Sequence, residues 1–257
     1  MNLIILCAGY AERLQGIGNG LPKALLPVRG APMLDHVISQ TATHTALKSI
    51  NIVTNAVHFN AFEHWLSESG RIASLPASLP VSLPVSTKLF NDGSSSPEEK
   101  LGAIGDLAWT IKAGRLQDDD LIVVAGDTLF SSSQEGFIDR SMSKPCTIGT
   151  FDTGDLNTVK KIASVETASD GRIIHFEEKP ERPRTTIGGI ALYYFRADCL
   201  PMVDQYIAEG NNPDQAGHLI GWLADRANVY GIPIEGDWID IGTPEAYHSA
   251  NFGAADR

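Results

Sequence analysis

The stretch "MNLIILCAGYAERL", residues 1–14, decides the fold because a short apolar run leads directly into a glycine. A run of this length, rich in aliphatic residues, is typical of a buried strand in a parallel sheet. In open α/β sheets ligands bind beyond the carboxyl ends of the strands, so Gly9 stands where a phosphate-binding loop is expected. The stretch is neither a dinucleotide fingerprint nor a P-loop, because the required glycines and the Gly-Lys-Ser/Thr ending are missing.

Strand-like and helix-like segments alternate along the first part of the chain. The strand candidates "SINIVTN", "LIVVAGD" and "CTIGTF" are separated by helical patterns such as "PMLDHVISQTAT" and "HFNAFEHWLSES". This alternation predicts an α/β fold with a mostly parallel central sheet and helices on both faces. Later segments are richer in strands: "VKKIASVE", "RIIHFEEK" and "IGGIALYYF" precede the helical "DQAGHLIGWLADR". We expect one domain over 1–257, in which the half 151–257 extends the sheet of the half 1–150 and forms a lid over it.

Composition excludes several classes of protein. The chain has 257 residues, 43% of them hydrophobic and 20% charged, which is ordinary for a globular domain. A net charge of −11 argues against sequence-independent binding of nucleic acid. No apolar run reaches the roughly 18 residues of a membrane span, and the N-terminus lacks the basic flank of a secretory signal, so we expect a cytoplasmic protein with no membrane association. Three scattered cysteines predict neither a disulfide framework nor a zinc site.

The segment between the second helix and "SPEEK" has an unusual proline pattern. A Leu-Pro pair recurs every four residues between 75 and 84, which predicts an extended surface connector. In "SPEEK", Ser96 is a candidate N-cap and Glu99 its capping-box partner, so we expect a helix to begin there. That helix would contain Gly102 and Gly105, each costing about 1 kcal/mol relative to alanine. Close helix packing and close approach of a ligand would each explain these glycines.

Charged residues near the predicted strand ends are candidates for chemistry. Arg13 and Lys23 could converge on one anion, or could be solvated surface charges. Asp127 ends a fully apolar strand, where a carboxylate could hold Mg²⁺ against a phosphate or could cap the next helix. Asp240, in "GDWIDIGTPEAY", could share that metal. Lys179 is placed at a strand edge, since Pro180 prevents the strand from continuing.

Seven motifs occur in this order along the chain: "LCAGYAERL", "PKALLPV", "LGAIGD", "VVAGD", "EEKP", "GGIALYYF" and "WIDIGTPEAY". Together they resemble the sugar-1-phosphate nucleotidyltransferases of the glucose-1-phosphate thymidylyltransferase-like family, over nearly the whole chain. The resemblance implies a Rossmann-like nucleotidyltransferase fold. It also implies transfer of a nucleoside monophosphate from an NTP to a sugar-1-phosphate with release of pyrophosphate, and Mg²⁺ as cofactor.

Carried over by motif, the resemblance assigns a role to each candidate residue. The half 1–150 would bind the nucleotide, through Leu6, Ala8, Gly9, Tyr10, Arg13, Lys23, Asn91, Gly102 and Asp127. The half 151–257 would bind the sugar phosphate, through Glu178, Lys179 and Gly189. Asp127 and Asp240 would hold Mg²⁺, and the catalytic set would be Arg13, Lys23, Asp127 and Lys179.

The sequence also departs from the family pattern. Ala11 replaces a glycine of the first loop; since a side chain disfavours positive φ, we expect Gly9 to take any left-handed or close-approach position. Ala163 replaces a glycine beside the sugar, and no glutamine lies between Phe90 and Gly105 to read a pyrimidine. These departures leave the sugar and the base of the NTP open.

Two other functions remain compatible with the sequence. One is a cytidylyltransferase that acts on a non-sugar phosphate such as phosphocholine, and the other is a non-catalytic regulatory subunit of the same fold. We expect a stand-alone transferase, because the chain ends soon after "TPEAYHSANF", and a homo-oligomer is compatible with the sequence.

Overall fold

The computed structural model describes residues 1–10, 14, 17, 20–68 and 86–252. Ala11, Arg13 and the Leu-Pro repeat at 75–84 lie outside these residues, so the predictions made for them are not addressed by the structure.

Strands and helices follow the alternation expected from the sequence. The strands are β1 (Asn2–Leu6), β2 (Pro27–Val28), β3 (Ala31–Pro32), β4 (Ser49–Thr54), β5 (Ser86–Asn91), β6 (Leu121–Ala125), β7 (Thr128–Phe130), β8 (Cys146–Asp152), β9 (Ala163–Thr167), β10 (Ile173–Glu178), β11 (Ile187–Phe195), β12 (Val229–Pro233) and β13 (Trp238–Asp240). The helices are α1 (Met33–Thr41), α2 (Phe59–Glu68), α3 (Gly102–Gly114), α4 (Glu135–Ser141), α5 (Leu156–Val159), α6 (Pro201–Ala208), α7 (Ala216–Ala224) and α8 (Pro244–Phe252). Short 3-10 turns occur at Lys23–Leu25 and Ala197–Cys199.

The first half of the chain forms a parallel sheet in the order β5-β4-β1-β6. After β1 the chain adds β4 and β5 on one side of β1, and it then returns to add β6 on the other side. The strand order therefore reverses between β1 and β6, which is where ligands bind in open α/β sheets.

The second half extends the same sheet with antiparallel pairs. β11 lies beside β6, and β9 and β10 continue beyond it in antiparallel pairing. β8 pairs with β11 and also with β12, the latter in parallel. The predicted α/β fold with a largely parallel central sheet is confirmed, and the strand-rich second half joins that sheet.

Apolar residues cover both faces of the sheet. Along β1, Leu3 and Ile5 pack on one face with α1, α2 and α4, whereas Ile4 packs on the other with α3, α6 and α7. Each of these three side chains is fully buried, a burial worth about 1.5–3 kcal/mol apiece. Because both faces are covered, the strands are apolar along their whole length, as the sequence indicates.

The helix expected from "SPEEK" begins later than predicted. Residues 96–99 form a turn, and α3 starts at Gly102, whose φ is +78°. The first helical amides find partners elsewhere in the chain: Ile104 N donates to Pro213 O at 2.9 Å. A Cβ on Gly102 would lie 2.6 Å from that same Pro213 oxygen. Of the two explanations left open by the sequence, close backbone packing accounts for Gly102.

The C-terminal segment returns to the first half of the chain. β13 pairs with β7, and α8 packs on the N-terminal half, where Tyr247 Oη donates to Pro27 O at 2.7 Å. This return brings Asp240 beside the segment that follows β6. Within the described ranges, no helix has the length and apolar character needed to cross a membrane.

Candidate active site

A cavity of about 530 Å³ opens at the carboxyl ends of β1 and β6. Its walls come from both halves of the chain, with the loop after β1 and the start of α3 on one side and β10, β11 and α7 on the other. The crevice lies at the switch in strand order, because the strand added after β1 lies on one side of the β1–β6 pair, whereas the later strands lie on the other.

Most of the residues predicted for the site line this one cavity. They are Leu6, Ala8, Gly9, Tyr10, Lys23, Gly102, Asp127, Glu178, Lys179, Gly189 and Asp240. Asn91 is not among them; its side chain instead accepts a hydrogen bond from Gly93 N at 2.9 Å. Arg13 lies outside the described residues.

Asp127 is placed by the turn that ends β6. Gly126 N donates to Leu6 O at 2.9 Å, which ties this turn to β1. A Cβ on Gly126 would lie 2.4 Å from the Cys7 sulfur, so the turn needs a glycine. Lys23, held in its 3-10 turn, donates to the Asp127 carboxylate at 2.5 Å. The lysine that the family resemblance assigns to the triphosphate thus pairs with the predicted metal ligand.

Asp240 reaches the same place from the far end of the sequence. It pairs in register with Thr128, and Ile241 N donates to Asp127 O at 3.1 Å. Both carboxylates border the cavity. Mg²⁺ is commonly held by one or two carboxylates together with substrate phosphates and water, so this pair fits such an ion. In the part of the chain that the structure describes, no cluster of three or more acidic, His or Cys side chains could hold a metal.

Lys179 sits in a conformation that non-glycine residues rarely adopt. Its φ is +47°, which costs of order 1–3 kcal/mol, and its N–H donates to Ile162 O at 2.9 Å. The buried Pro180 follows and ends the strand, as predicted. Lys161 borders the cavity nearby, and neither lysine forms an ion pair with any described residue. This end of the cavity offers two cations to an anion.

Glu178 lies against the first turn of α7. A Cβ on Gly217 would lie 1.8 Å from Glu178 Oε2, so the absence of a side chain at 217 makes room for the carboxylate. Burial raises the pKa of Glu178 above its ordinary value, while Lys179 and His218 act in the opposite direction. The carboxylate is therefore poorly solvated and available as a hydrogen-bond acceptor toward the cavity.

Two glycines of the predicted site differ in why they are needed. Gly189 is enclosed, since a Cβ there would lie 2.9 Å from Ile148 Cδ1 and 3.1 Å from Ala163 Cβ. Around Gly9 no described atom comes within 4 Å of a built Cβ, and its φ is not positive. Of the two positions expected for Gly9, the left-handed one is therefore not adopted, and close approach to a ligand remains a prediction.

The cavity also contains charged residues that the sequence analysis missed. Lys100 pairs with Asp214 at 2.7 Å, and this pair joins the turn before α3 to the loop before α7. Asp106 is buried on α3, one helical turn after Gly102. Helical spacing from Gly102 could have identified Asp106, since residues four apart share a face. Nothing local in the sequence pairs Lys100 with Asp214.

Fold and site together define a class: an open α/β protein whose lysines and carboxylates meet at the topological switch point, as in proteins that bind phosphorylated nucleotides. The chain belongs to the Nucleotidyl transferase family, whose family model matches residues 2–257. The resemblance seen in the seven motifs is thereby confirmed.

Curated relatives share low identity with this chain. The Bifunctional protein GlmU of Methanocaldococcus jannaschii is 22% identical over 100% of this chain and 55% of its own length. A putative mannose-1-phosphate guanyltransferase of Sulfolobus acidocaldarius is 26% identical over 98% of this chain and 62% of its own length. The chain thus spans about half to two thirds of the length of these relatives.

Solved structures share the fold over its full extent. A putative glucose-1-phosphate thymidylyltransferase from Bacillus anthracis, in complex with a sucrose, superposes with a TM-score of 0.78 at 20% identity, covering 100% of this chain and 97% of that one. UDP-glucose pyrophosphorylase complexed with UDP-glucose gives 0.76 at 18% identity, with 97% and 96% coverage.

Proposed function

We propose that the protein transfers a nucleoside monophosphate from an NTP to a sugar-1-phosphate, giving an NDP-sugar and pyrophosphate. The observation that carries the proposal is the convergence, in one cavity, of Lys23 and Asp127 from the first half with Glu178 and Lys179 from the second. Family membership supports the reaction type. The names of the relatives suggest sugar-phosphate acceptors, which favours this function over a phosphocholine acceptor or a non-catalytic subunit.

In the proposed reaction an oxygen of the sugar phosphate forms a bond to the α-phosphorus of the NTP. The bond from that phosphorus to the bridging oxygen breaks, and pyrophosphate leaves with the electron pair. Both reactants are anionic, so cations must offset their repulsion and hold them in line. Lys179 would hold the sugar phosphate, while Lys23 and Arg13 would hold the triphosphate.

Mg²⁺ is the proposed cofactor, held by Asp127 and Asp240. When bound, it would neutralise charge on the phosphates as the leaving group departs. Lys23 would then exchange its partner, moving from the Asp127 carboxylate to a phosphate oxygen. Gly9 and the amides around it would approach the nucleotide, and Glu178 would accept hydrogen bonds from sugar hydroxyls.

A matrix of pyrophosphate-release assays tests the function, with each NTP paired against a panel of sugar-1-phosphates and phosphocholine. We expect turnover with at least one NTP and one sugar-1-phosphate, and its loss when EDTA removes the metal. Turnover with phosphocholine alone would favour the cytidylyltransferase. No turnover anywhere, with no NTP binding by calorimetry, would favour the regulatory subunit.

A further inference from the structure

Asp106 is a buried acid that the proposed reaction does not use. It projects from α3 and borders the cavity, yet its side chain and backbone together are only 6% exposed. Its Oδ1 has no hydrogen-bond partner among the described residues. An unsatisfied buried acceptor costs free energy, so a group that donates to it from a bound ligand would recover that cost.

A second acid, Asp92, lies near Asp106 and also affects its pKa. It directly follows β5, and its carboxylate accepts from Ser94 N at 2.7 Å and from Ser94 Oγ at 2.8 Å. Tyr10 Oη in turn donates to Ser94 Oγ at 3.0 Å. Asp92 is thus supplied with donors and fixed in place, and the same network joins it to the loop after β1.

Burial, followed by the nearby Asp92, raises the pKa of Asp106 to about 8. A side-chain hydrogen bond links the two acids. In the protonated form Asp106 can donate its proton to Asp92, which leaves its remaining lone pairs as acceptors only. In either protonation state, then, Asp106 presents acceptors to a ligand in the cavity.

We propose that Asp106 contacts the base of the nucleotide and favours an NTP whose base carries an exocyclic amino group over UTP and dTTP. This inference rests on the proposed function. Phosphates are unsuitable neighbours for a carboxyl acceptor, and the proposed function assigns the phosphates to Lys23 and Lys179, which line the same cavity. The amino groups of cytosine, adenine and guanine donate, whereas O4 of uracil and thymine would face the acid as a second acceptor.

Asp106 thus offers acceptors and no donor to the cavity. A site built on one kind of hydrogen-bonding group discriminates strongly against a ligand that leaves it unpaired.

The test compares kcat/KM for CTP, ATP, GTP, UTP and dTTP at one sugar phosphate, in the wild type, Asp106→Asn and the surface control Asp204→Asn. We expect the best amino-bearing NTP to exceed UTP and dTTP by about tenfold or more in the wild type and in the control. In Asp106→Asn that ratio should fall by about tenfold, because the new amide can donate to O4. Equilibrium binding of the same NTPs by calorimetry should show the same order.

The outcomes separate this inference from the proposed function. A wild type that prefers UTP or dTTP would overturn the inference while leaving the transferase intact, as would an Asp106→Asn variant that slows every NTP equally, the pattern expected for a ribose contact or a purely structural acid. If no NTP is turned over, the proposed function fails and the base preference is read from binding alone. If Asp106→Asn does not fold, the wild-type preference decides.

Discussion

The two ends of the cavity are built differently. At the end proposed for the nucleotide, parallel strands bring Lys23 and Asp127 into an ion pair, and the turn before Asp127 admits no side chain at Gly126. At the other end, antiparallel strands present Lys161 and Lys179, which have no ion-pair partner among the described residues. At the first, which we call the balanced end, a lysine is already paired with a carboxylate, whereas at the second two lysines have no such ion pair among the described residues.

Because its two ends differ in this way, one cavity can bind two anions. At the balanced end, Lys23 must leave Asp127 when a phosphate binds, because its ammonium group cannot pair equally well with both anions. The lysine-rich end attracts its anion directly, and the strained backbone of Lys179 fixes where that charge lies. We therefore expect substitutions at the two ends to affect different substrates.

The largest expected effect concerns the carboxylates of the balanced end. Asp127→Asn and Asp240→Asn should each lower kcat by about 100-fold or more, because each removes charge that would hold a divalent ion at the reacting phosphates. Steady-state kinetics over a range of Mg²⁺ concentrations would measure this, with Asp204→Asn as control. Full activity in Asp240→Asn beside an inactive Asp127→Asn would mean that Asp240 only shapes the start of α8.

Replacing each lysine by methionine tests whether the two ends of the cavity bind different substrates. Lys179→Met should raise the KM for the sugar phosphate by about tenfold with little change in the KM for the NTP, and Lys23→Met should do the reverse. Two-substrate kinetics separate the effects. Equal changes in both KM values for both variants would show that the two lysines serve one shared phosphate.

Asp106 should make the free energy of unfolding depend on pH. Because its pKa is raised to about 8 in the folded protein, the native state retains a proton that the unfolded chain releases near pH 4. Its contribution to the free energy of unfolding therefore falls as pH rises from about 4 to about 8.

Asp106→Asn should remove this slope and leave the variant more stable than the wild type at pH 8, by about 1 kcal/mol or more. Urea denaturation at pH 5 and pH 8 measures the difference. Parallel pH dependences in variant and wild type would place the proton elsewhere.

The smallest expected effect lies at the end proposed for the sugar phosphate. Gly217→Ala puts a methyl group where the Glu178 carboxylate lies, so we expect Glu178 to shift and the KM for the sugar phosphate to rise about threefold. A double-mutant cycle with Glu178→Ala provides the control, since the glycine substitution should add nothing once the carboxylate is gone. Additive effects would show that Gly217 acts on the fold rather than through Glu178.

Local patterns in the sequence were sufficient for the fold and for part of the site. The apolar run of β1 and the alternation of strand-like with helix-like segments predicted the α/β sheet. A strand that is buried on both faces is apolar along its length, and this pattern can be recognised in a short stretch of sequence. Gly9, Asp127 and Lys179 could be proposed because each lies within three residues after a strand, and the flanking residues of a strand predict where it ends. Which NTP and which sugar fit the cavity could not be predicted by such patterns.

The tertiary structure determines which residues at these strand ends lie close together. Lys23 and Asp127 are 104 residues apart, and their pairing depends on β1 and β6 being neighbours. Asp240 reaches Asp127 only because β13 returns to pair with β7. The start of α3 moved from the strong local signal at Ser96 to Gly102, where the backbone of Pro213 supplies the partner for the first turn. Hydrophobic periodicity is local, whereas hydrogen-bond and ion-pair partners follow from strand order and chain return, which no short stretch of sequence encodes.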